Sequence, residues 1–160
     1  MELFFYPEVL HRIAKEISGV RTESIKQMIL GNKRSEKEFK DHNTIGVLGE
    51  LIAQHYFIEQ GALFQATEIL SNKPLVEADI FVSTFIDTRK IDVKTLKSSH
   101  RYLMVNQFVH ENPDKDINEY MFIKIIRKCE CRIWFFSHQE VDNWSIQEQT
   151  YSKVYAKKIS

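Results

Sequence analysis

The chain lacks the features that mark secreted or membrane proteins. Its 160 residues include two cysteines, Cys129 and Cys131, which lie too close together for an ordinary disulfide framework. No apolar run approaches the roughly 18 residues that span a bilayer, and no basic segment followed by an apolar one stands at the N-terminus. We therefore expect a soluble, cytoplasmic protein without a membrane partner.

Net charge is also absent. The 22 Lys and Arg residues balance the 22 Asp and Glu residues, so the chain has no overall positive field of the kind that marks many nucleic-acid binders. The charge is uneven, however, because basic residues are in surplus between 21 and 40 and acidic residues between 59 and 79. Such a distribution suits a protein that holds cations in one place and phosphates in another, and it equally suits solvated helix faces.

Glycine-rich phosphate loops and cysteine- or histidine-based metal motifs are missing too. Cys129-Glu130-Cys131 has no second cysteine pair, and we interpret it as a hairpin tip rather than half of a zinc site. The histidines lack the HExxH or similar spacing of zinc enzymes, and we interpret them as ordinary surface or core residues. Carboxylates and lysines are left as the candidates for chemistry.

The order of the elements predicts one α/β domain with a mixed sheet flanked by helices. Residues 7 to 30 have helical spacing broken at Gly19, and the strongest helix runs from Ile45 to Gln60, with Asn43 or Thr44 as N-cap and Gly61 closing it. After Pro74 the pattern predicts strands at 80–86, 90–96, 101–106, 120–127 and 132–137.

The connections complete this prediction. Asp87-Thr88-Arg89 is expected to link two strands, and residues 111–116 are expected to form a surface loop. The single domain, residues 1–160, divides into a helical extension at 1–43, a core at 44–137 and a helical or irregular segment at 138–160.

Asp92 and Lys94 are the most informative pair in the sequence. On a strand they share one face, while Ile91 and Val93 point to the core. Asp79 stands at the start of the preceding strand. Two acids and a lysine on adjacent strands are parts of a metal-dependent phosphodiesterase, in which carboxylates hold Mg²⁺ and the ion relieves charge on the transition state. The Val93 carbonyl is a candidate third ligand.

Glu50 is the fourth candidate. An acid inside the most apolar helix of the chain is costly unless it is paired or faces a polar site. Gly46, Gly49 and Ala53 lie around it on the helical wheel, and this strip of small residues allows the helix to approach the sheet or a substrate closely. Taken alone, Glu50 would be interpreted as an acid on the solvent edge of the helix.

A family resemblance joins these residues. The chain carries, in this order, Gly49-Glu50, Glu77-Ala78-Asp79 and Ile91-Asp92-Val93-Lys94. Over residues 44 to about 137 it resembles the PD-(D/E)XK nuclease superfamily, with Ala78 in place of the nominal proline. The resemblance implies a restriction-endonuclease-like core with extra N-terminal helices. It also implies that Asp79 and Asp92 bind Mg²⁺ (or Mn²⁺), that Lys94 positions the attacking water, and that Glu50 assists through a metal-bound water.

We therefore expect a Mg²⁺-dependent endonuclease that acts on DNA. An RNA-cleaving enzyme and a non-catalytic module that binds nucleic acid or a partner protein remain alternatives. The resemblance further implies a homodimer, with one site for each strand. The expected nucleic-acid contacts are Lys33, Arg34, Lys37, His100, Arg101 and Gln107.

One spacing argues against a flat arrangement of the acids. A hairpin centred on Thr88 would pair Asp79 with a residue near Lys97 rather than with Asp92. At ~3.3 Å per residue the offset is about 10 Å. Joint binding of one metal therefore requires a bend, a bulge or a longer turn.

Overall fold

A computed structural model describes residues 1–25, 36–67, 77–150 and 152–159. None of the described helices combines the length and the apolar character needed to cross a bilayer. In chain order the elements are β1 (Glu2–Phe5), α1 (Val9–Ile25), α2 (Glu36–Glu59), β2 (Phe64–Ala66), β3 (Ile80–Ser83), β4 (Thr88–Leu96), β5 (Tyr102–Asn106), α3 (Gln107–His110), β6 (Glu119–Arg127), β7 (Glu130–Ser137), α4 (His138–Asp142), β8 (Ser145–Glu148) and β9 (Lys153–Lys158).

The strands form two sheets. Within the described ranges, six strands make a mixed sheet in the order β1-β7-β6-β4-β3-β2, whose central pair β4 and β6 is parallel and whose other pairs are antiparallel. The strands β5, β9 and β8 form a smaller antiparallel sheet. The expected α/β class, a mixed sheet flanked by helices, is confirmed.

Each face of the large sheet has its own apolar core. On one face α1 and α2 pack against the sheet, with Ile52 beside Ile91 in the buried cluster. On the other face the small sheet covers the large one, and Leu103 packs with Leu96 and Phe122. Because successive strand residues point to opposite faces, β4 supplies Ile91 to the first core and Leu96 to the second.

Helix α1 continues through Gly19, which was expected to break it. A single glycine costs a helix only about 1 kcal/mol relative to alanine, and the buried side chains of Ala14 and Ser18 hold this helix against its neighbours. The second short helix expected up to Leu30 lies largely outside the described residues.

Helix α2 begins at Glu36, so Asn43 and Thr44 are not its N-caps. Thr44 Oγ1 instead bonds within the helix, donating to the Lys40 carbonyl at 2.9 Å. The Asn43 amide donates to the Ser18 carbonyl of α1 at 3.4 Å. The expected boundary between an extension and a core, at residues 43 and 44, therefore falls inside one helix.

Gly61 closes α2 as expected. Its φ of 64° lies in the left-handed region that favours glycine. The amides of Gly61 and Ala62 donate to the carbonyls of Ile58 and Phe57, each at 3.0 Å. This pair of bonds is a Schellman motif, which satisfies carbonyls at the end of the helix.

The turn between β3 and β4 comes earlier in the chain than expected. Strand β3 ends at Ser83, and Thr84 and Asp87 close the turn through a backbone hydrogen bond of 2.9 Å. Ser83 pairs with Thr88 and Ile80 with Ile91, so the register continues to Asp79 beside Asp92, where the chain bends. The pairing of Asp79 near Lys97, derived from a turn centred on Thr88, is wrong.

The C-terminal segment contains more strand than expected. It begins with α4, whose N-cap Ser137 forms a capping box with Glu140. Strands β8 and β9 follow, and β9 pairs with both β5 and β8. The segment at 138–160 thus completes the smaller sheet and is needed to cover one face of the larger one.

Helix α2 and strand β4 are in close contact at Gly49. A Cβ built on Gly49 would lie 1.7 Å from Thr95 Oγ1, which is far inside van der Waals contact. A Cβ on Gly46 would meet nothing within 4 Å, so Gly46 is not part of this contact. Ala53, one turn along, is fully buried. The close approach places Glu50, next to Gly49, beside the second half of β4.

This contact predicts opposite effects for two glycine substitutions in one helix. Gly49→Ala should destabilise the protein by about 1 to 3 kcal/mol, because α2 must move away from Thr95. Gly46→Ala should stabilise it by up to about 1 kcal/mol, because helical alanine is favoured where space permits. Urea unfolding of both variants tests the contact, and equal effects would contradict it.

Candidate active site

A cleft of about 690 Å³ lies where β4 extends past the beginning of β3. Helices α1 and α2 contribute to one wall, and β5, α3 and the loop before β6 contribute to the other. In the part of the chain that the structure describes, the charged side chains that line it are Arg21, Glu50, Glu77, Asp79, Asp92, Lys94 and Lys115. The structure therefore brings the four predicted catalytic residues into one cleft.

The Asp79 side chain provides a hydrogen-bond partner for the edge of β4 that β3 leaves open. Beyond Ile91 this strand has no partner in β3, and the Val93 amide donates to Asp79 Oδ2 at 2.6 Å. The N–H and C=O of one strand residue point towards the same neighbour, so the Val93 carbonyl also faces the Asp79 side. Val93 is among the residues that line the cleft.

Asp92 is buried between two lysines. Its Oδ1 accepts a hydrogen bond from Lys94 Nζ at 2.8 Å and its Oδ2 accepts one from Lys115 Nζ at 3.0 Å. Burial acts to raise the pKa of Asp92, but the charges and hydrogen bonds of the two lysines hold that pKa below its usual value. The alternative of an ion pair on an exposed strand face is wrong, because Asp92 is enclosed.

Lys115 was not predicted as a site residue. Its loop was expected to lie at the surface, yet only 1% of its side chain is exposed. Burial lowers the pKa of Lys115, the charge of Asp92 opposes this effect, and the charge of Lys94 adds to it. No local signal distinguishes this lysine, because only the path of the loop over β4 and β6 brings it to Asp92.

Glu50 faces the cleft rather than the solvent. Its carboxylate lies 3.6 Å from Arg21 Nη1 of α1, and both side chains are largely buried. The interpretation of Glu50 as a solvent-edge acid is therefore wrong. Arg21 was missed as its partner because α1 was expected to end near Gly19, before Arg21.

The donor set suits a hard divalent cation. Asp79, Asp92 and the Val93 carbonyl offer oxygen atoms, which Mg²⁺ and Mn²⁺ prefer. Glu50 does not join the two aspartates in a tight group of three, since no such group within 4.8 Å is found there among the described residues. This placement is consistent with the expected role of Glu50 through a water.

A tight group does occur elsewhere, at His110, His138 and Asp142. His110 is hydrogen-bonded to Asp142 Oδ1 at 2.9 Å and to the Tyr120 hydroxyl at 2.8 Å. The two histidine rings are stacked, with centroids 3.8 Å apart and planes 13° apart. Ring nitrogens bind a metal in the plane of the ring, so stacked rings do not direct both nitrogens at one ion. The cluster instead ties α3 and α4 to β6.

The structure describes four of the six predicted nucleic-acid contacts. Lys33 and Arg34 lie outside the described residues, and Lys37 is exposed on α2. Gln107 bonds along its own helix, donating to Glu111 at 2.8 Å. Of the predicted contacts that the structure describes, none lines the cleft that holds the acids.

His100 does not line the cleft, but it interacts with His42, which does. The Lys97 amide donates to His100 Nδ1 at 3.1 Å, just beyond the end of β4. Burial lowers the pKa of His100, and the positive charges of Lys97, His42 and Lys124 lower it further. Cationic groups therefore meet at this end of β4, and Arg101 is exposed beside them.

Comparison of the chain with models of known families and with curated proteins finds no match. The functional conclusion therefore depends on the geometry of the cleft.

The ion pairs of Asp92 with two lysines predict that its substitution causes a large, pH-dependent loss of stability. At pH 7, Asp92→Asn should destabilise the protein by about 3 to 5 kcal/mol, because it leaves the enclosed Lys115 ammonium without its counterion. Asp116→Asn is the control, since Asp116 pairs with Lys90 at the surface and should cost about 1 kcal/mol or less.

Urea unfolding at several pH values shows in which direction the stabilisation by Asp92 changes with pH. Because the folded-state pKa of Asp92 is depressed, its stabilisation is present above the unfolded pKa of about 3.9 and is lost as pH falls through the folded value. The gap between wild type and Asp92→Asn should therefore narrow in acid. A gap that stays constant, or one equal to that of Asp116→Asn, would contradict the enclosed pairing.

Proposed function

We propose that this protein is a Mg²⁺-dependent endonuclease that hydrolyses phosphodiester bonds in DNA. The observation that carries the proposal is the joint presence of Asp79, Asp92, Lys94 and the Val93 carbonyl in one cleft at the open edge of β4. The order of these residues and the mixed sheet support a restriction-endonuclease-like core of the PD-(D/E)XK type. A cytoplasmic location and a dimer with one site for each strand belong to the same proposal.

The residues divide the work of phosphodiester hydrolysis. Asp79, Asp92 and the Val93 carbonyl would hold the metal ion, which when bound neutralises charge on the phosphate and acidifies a water. Lys94 has 35% of its side chain exposed, so its ammonium can reach the attacking water or a phosphate oxygen. Glu50, held by Arg21, stands at the α2 wall, where it can accept a proton through water.

The surroundings of the cleft support a polyanionic substrate. Lys97 lines a second cleft of about 450 Å³ together with Lys15 and Lys40. Lys124 is close enough to lower the pKa of His100 and is a further cation at this end of β4. On this proposal one phosphate of a nucleic-acid strand would lie at the acids and another would lie against these lysines.

A non-catalytic nucleic-acid-binding module is the second candidate. Both oxygens of Asp92 are bonded to lysines, and a purely structural ion-pair cluster would have the same arrangement. On this alternative the cationic surface binds nucleic acid and the acids only stabilise the fold.

Cleavage assays separate these functions. Purified protein with Mg²⁺ should cut plasmid DNA, and Lys94→Ala should reduce the rate by about a hundredfold or more, because the amine that positions the water is lost. Lys153→Ala, an exposed substitution on β9, is the matched control and should cut normally.

Equal cleavage by wild type and Lys94→Ala would refute the catalytic assignment. Cleavage of structured RNA but not of DNA would show that the substrate class is wrong. Binding of DNA without any cleavage would favour the binding module.

Binding measurements test the cationic surface independently of catalysis. In EDTA, fluorescence anisotropy with a short DNA duplex should show weaker binding for Lys97→Ala, because a phosphate contact is lost. The slope of log affinity against log salt should fall by about one. Lys153→Ala again serves as the control, and wild-type affinity for Lys97→Ala would exclude this surface.

A further inference from the structure

Lys94 and Lys115 both bond to Asp92, but they are held with different firmness. Lys94 has 35% of its side chain exposed, whereas Lys115 has 1% exposed. The Lys115 ammonium also lies 5.4 Å from the centroid of the Tyr120 ring, at the distance of a cation–π contact. Lys94 therefore has solvent into which it can move, and Lys115 is enclosed.

The loop that carries Lys115 is fixed on both sides. Asn118 forms two hydrogen bonds with the Lys90 backbone of β4. Its backbone amide donates to the Lys90 carbonyl at 3.0 Å, and its Oδ1 accepts from the Lys90 amide at 2.7 Å. The Asn118 carbonyl accepts from the His138 amide at 2.9 Å, and the Lys115 amide donates to Asn112 at 3.0 Å. These bonds fix the loop on both sides of Lys115, whose ammonium bonds to Asp92 Oδ2.

The net charge of the cleft lining limits how many cations the cleft can hold. Among the described residues, its lining contains four carboxylates and three basic side chains other than histidine. The carboxylates are Glu50, Glu77, Asp79 and Asp92, and the basic residues are Arg21, Lys94 and Lys115. With all of these groups ionised, one negative charge remains, and a single divalent cation already exceeds it.

We propose that Lys115 takes the place of a second metal ion, so that the site binds one divalent cation per chain. This inference deepens the proposed function and rests on it, because it assigns the metal stoichiometry of the same site. In two-metal sites the two ions jointly stabilise the attacking and leaving oxygens. Here the Lys115 ammonium occupies Asp92 Oδ2 and leaves Oδ1, on the side of the movable Lys94, for the cation.

Lys115 is thus a positioning residue that supplies a fixed positive charge in the wall of the cleft. A merely structural lysine would stabilise the loop without affecting how many ions bind. The number and affinity of bound ions therefore distinguish the two roles.

Titration with Mn²⁺, followed through the electron paramagnetic resonance signal of the free ion, measures this number on the intact protein. Wild type should bind one Mn²⁺ per chain, and Asp92→Asn should lose it. Two ions in wild type would overturn the inference, and so would an ion that Asp92→Asn retains, since that ion would lie elsewhere.

Lys115→Met should bind Mn²⁺ at least about tenfold more tightly or take up a second ion, because a like charge beside the site is removed. Lys153→Met makes the same change of charge at an exposed position and should match wild type. Unchanged binding by Lys115→Met would overturn the inference. If Lys115→Met does not fold, the wild-type count alone decides.

Cleavage of plasmid DNA by the same wild-type preparation separates the two proposals. An active enzyme with two bound ions would refute the inference about Lys115 and leave the nuclease function intact. A protein that neither binds Mn²⁺ nor cleaves would refute the metal-dependent nuclease, and the inference would fail with it.

Discussion

The burial of one carboxylate, that of Asp92, organises the candidate site. A buried charge is tolerated only when it is paired and hydrogen-bonded, and two lysines from separate segments provide these bonds. Lys94 follows on the same strand, but Lys115 must come from the loop before β6. The position of that loop, and of the cleft wall to which it contributes, is therefore tied to the charge of Asp92.

The open edge of β4 is the second constraint. Strand β4 continues for five residues beyond its last partner in β3, and its Val93 amide is satisfied by the Asp79 side chain instead of a strand. Helix α2 packs on one face of β4 at Gly49 and presents Glu50 to the cleft at this open edge. If β3 were as long as β4, it would pair with this part of β4 and cover the Val93 amide.

Part of this arrangement could be predicted because it depends on local periodicity. The alternation of Ile91, Asp92, Val93 and Lys94 is a property of any strand, and the structure places these side chains on the expected faces. Gly61 ends α2 for a local reason, its positive φ. The turn between β3 and β4 was misplaced because Thr84 and Asp87 close it through mutual hydrogen bonds. It contains no glycine or proline, the usual sequence signals of a turn.

The sequence by itself determined the α/β class, the alternation on β4 and four residues of the cleft, namely Glu50, Asp79, Asp92 and Lys94. Only the tertiary structure decided that Asp79 lies beside Asp92, that Arg21 pairs with Glu50 and that Lys115 is enclosed at the site. The physical reason is that periodicity acts over a few residues, whereas strand register and the pairing of buried charges depend on segments far apart in the chain.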